Sequence, residues 1–234
     1  MADELANAEL ENAWARYVEA ESKGAGSEKT DALHRLVTTI QSVDRSAQIG
    51  FVEWYCRTHL DGRPGVEGEI SFAGPWMRLP LFREVFADLL EAGRTEFRPN
   101  FARWMAQLYA LFCRRSGPYL VYEPTREALL AEALDLDPGD DRARAMLVSE
   151  LLSRVEYVCH ELPHGLLCDP GRLIEDADRL QSLLAGTIWH RLSLKGSAAL
   201  RLVALGDWND SVMADVDEYA GLRGAIQDSL FAPR

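Results

Sequence analysis

The chain has 234 residues, 47% hydrophobic and 26% charged, enough for one large domain or two small ones with an ordinary core. Its formal charge of −12 argues against nucleic acid as a direct partner, because phosphate binding needs clustered Lys and Arg, and it leaves room for a basic protein. No apolar run approaches the roughly 20 residues of a membrane-spanning helix. The first residues lack the basic and apolar regions of a secretory signal. Four sparse cysteines, Cys56, Cys113, Cys159 and Cys168, suit reduced thiols better than a disulfide framework. The expectation is a cytoplasmic protein with no membrane partner.

Nearly every apolar segment has helical spacing. Residues 3–22 place Leu10, Trp14, Tyr17 and Val18 on one stripe, and Lys23 to Ser27 reads as a loop. Thr30 or Asp31 can cap a helix with Leu33, Leu36, Val37 and Ile40 on its face. Ile49, Val52, Tyr55 and Cys56 continue the pattern to Leu60, either in the same helix or after a break at Ser42 to Ser46. Residues 61–76 change character, with Asp61-Gly62-Arg63-Pro64-Gly65 and Gly74-Pro75 bracketing a polar stretch. This loop is the expected boundary between an N-terminal helical portion, 1–60, and a main portion, 77–234.

Residues 80–92 present Phe82, Val85, Phe86, Leu89 and Leu90, and Gly93 is expected to end them. Residues 99–115 read as one helix starting at Pro99, with Phe101, Trp104, Met105, Leu108, Tyr109 and Phe112 inward. Ser116-Gly117-Pro118 breaks it. Thr125 caps a helix that stops at Leu136-Asp137-Pro138. The next runs from Asp140 to His160 or Leu162, and Asp169-Pro170 opens the following one. Gly186 and Gly196 are expected to punctuate two further helices, and a last one carries Val212, Val216, Tyr219 and Ile226. The predicted class is all-α, with antiparallel helix pairs stacked in a repeat-like or irregular array.

The stretch from Glu127 to Pro138 resembles the second helix and terminal turn of a tetratricopeptide repeat. Ala133, Leu134, Leu136, Asp137 and Pro138 match its Ala-Leu-x-Leu-Asp-Pro string, and Ala143 and Leu147 suit the next helix. The repeat's usual Gly would align with Val148 and its early small residue with Arg126, and no second copy is visible. The resemblance covers about one repeat and implies helical stacking. A second resemblance, to small bacterial helical proteins encoded near toxins, rests on Tyr157, His160, Leu162, Pro163 and Gly165.

His160-Glu161-Leu162-Pro163-His164 spells H-E-x-x-H, in which two histidines one turn apart bind zinc and Glu activates the bound water. That chemistry needs an unbroken helix, and Pro163 with Gly165 reads as a helix ending. Cys159, His160, His164 and Cys168 offer four zinc-type ligands without the paired spacing of known zinc folds. Asp135, Asp137, Gly139 and Asp140 miss the calcium-loop register, with Met146 where a bidentate Glu belongs. Cys56 and His59 share a helix face without a third orienting group. Trp76, Trp104 and Tyr109 are candidate pocket residues for a small-ligand sensor.

What remains is surface. Asp207, Trp208, Asp210, Asp215, Asp217 and Glu218 mix acids with aromatics, as at the rim and anchor of an interface for a basic protein. The leading expectation is a non-enzymatic acidic protein-binding module without catalytic residues, metal or cofactor. Its concrete form is an adaptor or an inhibitor of a basic toxin. The alternatives are a zinc-binding protein or metal-dependent hydrolase at His160–His164, and a small-ligand sensor.

Overall fold

The computed structural model describes residues 2–24, 26–61, 77–116, 122–160, 166–207 and 209–231. The chain is 82% helical, with no strand among these residues. The all-α expectation therefore holds. The chain divides into two compact units, residues 1–139 and 140–234. The division falls at the Leu-Asp-Pro turn. The expected boundary loop lies, from residue 62 to 76, outside the described residues, and the helices on both sides of it belong to the first unit.

In the first unit α1 (Ala2–Lys23) and α2 (Gly26–Ser42) form an antiparallel hairpin. The break before α3 (Arg45–Cys56) falls where Ser42 to Ser46 suggested it. Asp44 caps α3 by accepting from Ala47 N at 3.0 Å. Residues 30–60 are thus two helices. α3 runs on into a π-helical turn, Arg57–Asp61. A second π turn, Phe82–Phe86, joins the short α4 (Leu79–Leu81) to α5 (Ala87–Thr95).

Aromatic rings tie these helices together. Trp14 lies 5.3 Å from Tyr55, Tyr55 lies 4.8 Å from Phe86, and Phe82 lies 4.9 Å from Phe112. Edge-to-face pairs of this kind add about 0.5–1.5 kcal/mol each beyond their buried area.

Three expectations need correction here. Thr30 and Asp31 do not cap a helix: both lie inside α2, which starts at Gly26. Gly93 does not end a helix: α5 continues through Thr95, and a Cβ at residue 93 would stand 2.2 Å from the Phe101 ring. The glycine lets α5 and α6 approach closely. The segment 99–115 is also two helices, α6 (Phe101–Gln107) and α7 (Tyr109–Ser116), interrupted at Leu108. Pro99 lies before the helix, which starts after Asn100 in a left-handed conformation, φ 72°. α8 (Arg126–Leu136) completes the unit, with the Thr125 hydroxyl accepting from Ala128 N at 3.2 Å.

The second unit is built on α9 (Asp141–Cys159), whose buried face includes Leu147, Leu151, Val155 and Val158. Asp140 caps it by accepting from the backbone N–H groups of Arg142 and Ala143. α10 (Pro170–Leu183) starts at the Asp169-Pro170 signal, with Asp169 accepting from Arg172 N. It packs on both α9 and α11 (His190–Ala204), and α12 (Asp210–Phe231) packs on α11 and α9. Gly186, at φ 76°, does lie in the turn after α10. Gly196 does not punctuate: it sits inside α11, where a Cβ would fall 2.1 Å from the buried Tyr219 ring of α12.

Candidate functional site

The H-E-x-x-H string starts where α9 stops. α9 ends at Cys159, and His160 occupies the C-cap at φ −67°, ψ −20°. Its Nδ1 lies 2.5 Å from the carbonyl of Tyr157, to which it donates, and its ring tilts onto the Tyr157 ring at 5.4 Å. The side chain is thus folded back on its own helix. Glu161, Pro163 and His164 lie outside the described residues. Beyond them the Leu167 N–H donates to the Val158 carbonyl at 3.2 Å, returning the chain to the end of α9. Burial, with smaller contributions from Cys168 and Asp217, pushes the Cys159 thiol from 9.0 up to about 12. Burial first, then Asp176 and Asp169, also raises Cys168. Metal ligation and nucleophilic attack both need the thiolate. Among the described residues no group of three or more His, Cys, Asp and Glu side chains is arranged to hold a metal ion.

The Cys56–His59 pair resolves into packing. Cys56 is fully buried, and burial followed by the Asp61 charge raises its thiol well above the ordinary range. The His59 ring lies 4.7 Å from Tyr55 and 5.9 Å from Trp14. Of the pocket candidates, Trp104 is wholly buried and its indole N–H donates to Asp61 Oδ1 at 3.0 Å. Tyr109 donates its hydroxyl to the Tyr122 carbonyl at 3.1 Å, and Trp76 lies outside the described residues. Trp104 therefore belongs to the core.

One polar constellation had no sequence signal, because its members are 42 residues apart. The π turn at Arg57–Asp61 brings Asp61 to Arg103, which donates to Oδ1 at 2.5 Å and to Oδ2 at 3.2 Å. Asn100 Oδ1 accepts a third bond from the same guanidinium at 2.9 Å. The left-handed backbone at Asn100 is what turns that amide toward Arg103, three residues on. The carboxylate, guanidinium and amide satisfy one another, and this bidentate geometry makes a structural lock.

The six acidic-face residues are divided among different tasks. Asp215 Oδ1 and Glu218 Oε2 clasp Lys195 of α11 at 2.7 and 2.8 Å. Those two hydrogen bonds are the main reason the Lys195 ammonium holds its proton above the ordinary lysine range. Asp207 accepts from Asn209 Nδ2 at 2.7 Å, and Asn209 in turn caps the start of α12 through Ser211 N and Val212 N. Asp210 and Asp217 are exposed and seven residues apart, so they share one face of α12. Trp208 lies outside the described residues.

α11 exposes Leu194 and Leu202, and Leu205 is exposed at its C-cap. Leu202 is two turns along from Lys195 on the same row of the helix. Leu202 therefore lies on the helix row that meets Asp215 and Glu218 through Lys195.

A second surface belongs to the first unit. The outer face of the α1–α2 hairpin holds a groove of about 760 Å³. Ala13, Ala20 and Ala32 line it, with acidic and basic residues around them. The signal for it was the seven-residue spacing of Ala13 and Ala20 beside the core stripe of Leu10, Trp14 and Tyr17.

Comparison with family models, curated proteins and solved structures finds no match. No helix among the described residues is long and apolar enough to cross a membrane.

Proposed function

We propose that the chain is a non-enzymatic protein-binding module whose partner is a basic protein, and that the binding face is the α11–α12 edge of the second unit. One observation carries this reading: α12 exposes Asp210, Asp217 and Glu218, and Glu218 meets Lys195 on the α11 row that exposes Leu202. Apolar anchors with a polar rim are the composition of a protein interface. Acidic rims speed encounter with a basic partner and raise its salt sensitivity. The overall charge of −12 supports the same choice of partner. The concrete form we favour is an inhibitor of the immunity type, which neutralises a basic toxin by covering its active site. A stacked helical scaffold suits that task because it holds a broad surface rigid.

The test is capture from the source lysate with the wild-type chain and with Asp210→Lys/Asp217→Lys. The expected result is a basic protein retained by the first and lost by the second. Equal retention by both removes the α11–α12 edge from the reading. Elemental analysis of untagged protein gives an independent check. One zinc per chain, lost in His160→Ala, would replace the binding module with the metal-site alternative.

A further inference from the structure

The α1–α2 groove is separate from the face just described and lies in the other unit. We infer that it is a docking site for a basic amphipathic helix of a protein partner. The inference rests on the reading that the partner is basic, and adds a second point of attachment. The groove spans Glu9 to Ala20 along α1. At about 1.5 Å per residue that is roughly 16 Å, or three turns of an occupant helix.

The floor explains why a helix fits. Ala13 and Ala20 stand two turns apart on α1, and Ala32 faces the groove from α2. These small side chains, with Asn12, Thr38 and Thr39 alongside, leave room for a third helix to settle between the two. The core side of the same hairpin is already occupied: Leu10, Trp14 and Tyr17 of α1 and Leu33, Leu36 and Ile40 of α2 are buried. The groove is therefore the hairpin's outer face.

The rim selects the sign of the occupant. Glu9, Glu19, Glu28 and Asp31 line the groove and are exposed, against the two guanidiniums of Arg16 and Arg35. Glu19 and Glu28 stand at the end nearest the α1–α2 turn. The Lys23 ammonium lies 3.6 Å from Glu19, with both side chains largely in solvent, so the pair is weak and an incoming cation can compete with it. The occupant then presents alanine or leucine to the floor and lysine or arginine to the rim. Such a contact is read at the i, i+3, i+4 and i+7 positions of the incoming helix.

The experiment uses the full chain and a defined probe, a 15-residue helical peptide of alanine, leucine and lysine, with the same peptide carrying glutamate for lysine as control. Amide shifts should concentrate at residues 9–20 and 28–39 on adding the lysine peptide. Glu28→Lys/Asp31→Lys should weaken its binding by about tenfold or more at low salt, with less effect as ionic strength rises. Both substitutions are at exposed positions, and circular dichroism checks that the hairpin is intact. Asp210→Lys/Asp217→Lys should leave peptide binding unchanged. Shifts outside the hairpin, unaltered affinity in the α2 double variant, equal binding of the glutamate peptide, or no binding would each overturn the groove assignment. The two readings fail separately. Loss of the captured partner in the α12 variant with no peptide in the groove leaves only the α11–α12 face. The converse leaves only the groove.

Discussion

Among the described residues each unit holds a bidentate Arg–Asp pair with one partner buried, and the depths are reversed. In the first unit the Arg103 side chain is 5% exposed and that of Asp61 27%. In the second the Asp176 side chain is 5% exposed and that of Arg154 30%, with contacts of 2.6 and 2.8 Å. Arg103 donates to Asp61 and Asn100, and Asp176 has a second cation nearby in Arg172 at 3.7 Å. A planar guanidinium is more weakly hydrated than an ammonium and carries its own fork of donors, so it tolerates burial when both carboxylate oxygens meet it. A carboxylate is small enough to sit inside a helix pair and can be reached by two cations from outside. The lesson is that the partner left at the surface decides how much a deletion costs.

The largest expected effect follows from that asymmetry. Asp61→Ala removes the carboxylate that neutralises a buried guanidinium and should cost about 3–5 kcal/mol of stability. Arg154→Ala leaves Asp176 with Arg172 and should cost less, about 1–3 kcal/mol. Urea unfolding of the two variants measures both, and equal losses would break the comparison.

The two aromatic–glycine contacts come next. Gly93→Ala and Gly196→Ala each push a methyl group against a ring and should cost about 1–3 kcal/mol by overpacking. Adding Phe101→Leu to the first, or Tyr219→Leu to the second, should return part of the loss. A thermal-melt series of singles and doubles shows whether one unit yields more readily than the other.

The smallest effect appears only in alkali. The Cys159 thiol is raised in the folded chain from 9.0 to about 12. Its stabilising contribution is therefore fully present below pH 9 and is lost as pH rises through the folded value, because only the unfolded thiol ionises in between. Cys56 in the other unit is shifted the same way by its burial, as are the Tyr17 and Tyr219 hydroxyls. The contribution of these groups to unfolding free energy should stay level up to pH 9 and fall above it. Cys159→Ala should flatten part of that fall, and an unchanged slope would remove the thiol from the account.

Much of the fold was legible, because local rules set most helix boundaries. Thr125, Asp140 and Asp169 are caps whose hydrogen bonds span two or three residues, and they appear where the sequence put them. The two glycine contacts were not legible. Gly93 and Gly196 have the local signature of a helix stop, and what makes each a contact is a ring on the next helix. The Asp61–Arg103 lock was hidden for the same reason, since a π turn and a left-handed Asn100 bring its members together. Of the candidate site, the α12 acids were visible as composition. That Asp215 and Glu218 face Lys195 while Asp210 and Asp217 face solvent is a matter of helix phase against α11.

The clasp on Lys195 also shapes what can be attached to this protein. Of 25 basic residues only three are lysines, Lys23, Lys29 and Lys195. Acylating dyes and cross-linkers need a neutral amine, and the hydrogen bonds to Asp215 and Glu218 make Lys195 hold its proton above the ordinary lysine range. Lys29 donates to the Glu21 carbonyl at 2.9 Å, and Lys23 has a side chain 77% exposed. Both flank the turn between α1 and α2. Lysine-directed chemistry should therefore mark one end of the first hairpin, next to the groove, and leave the arginine-dominated remainder untouched.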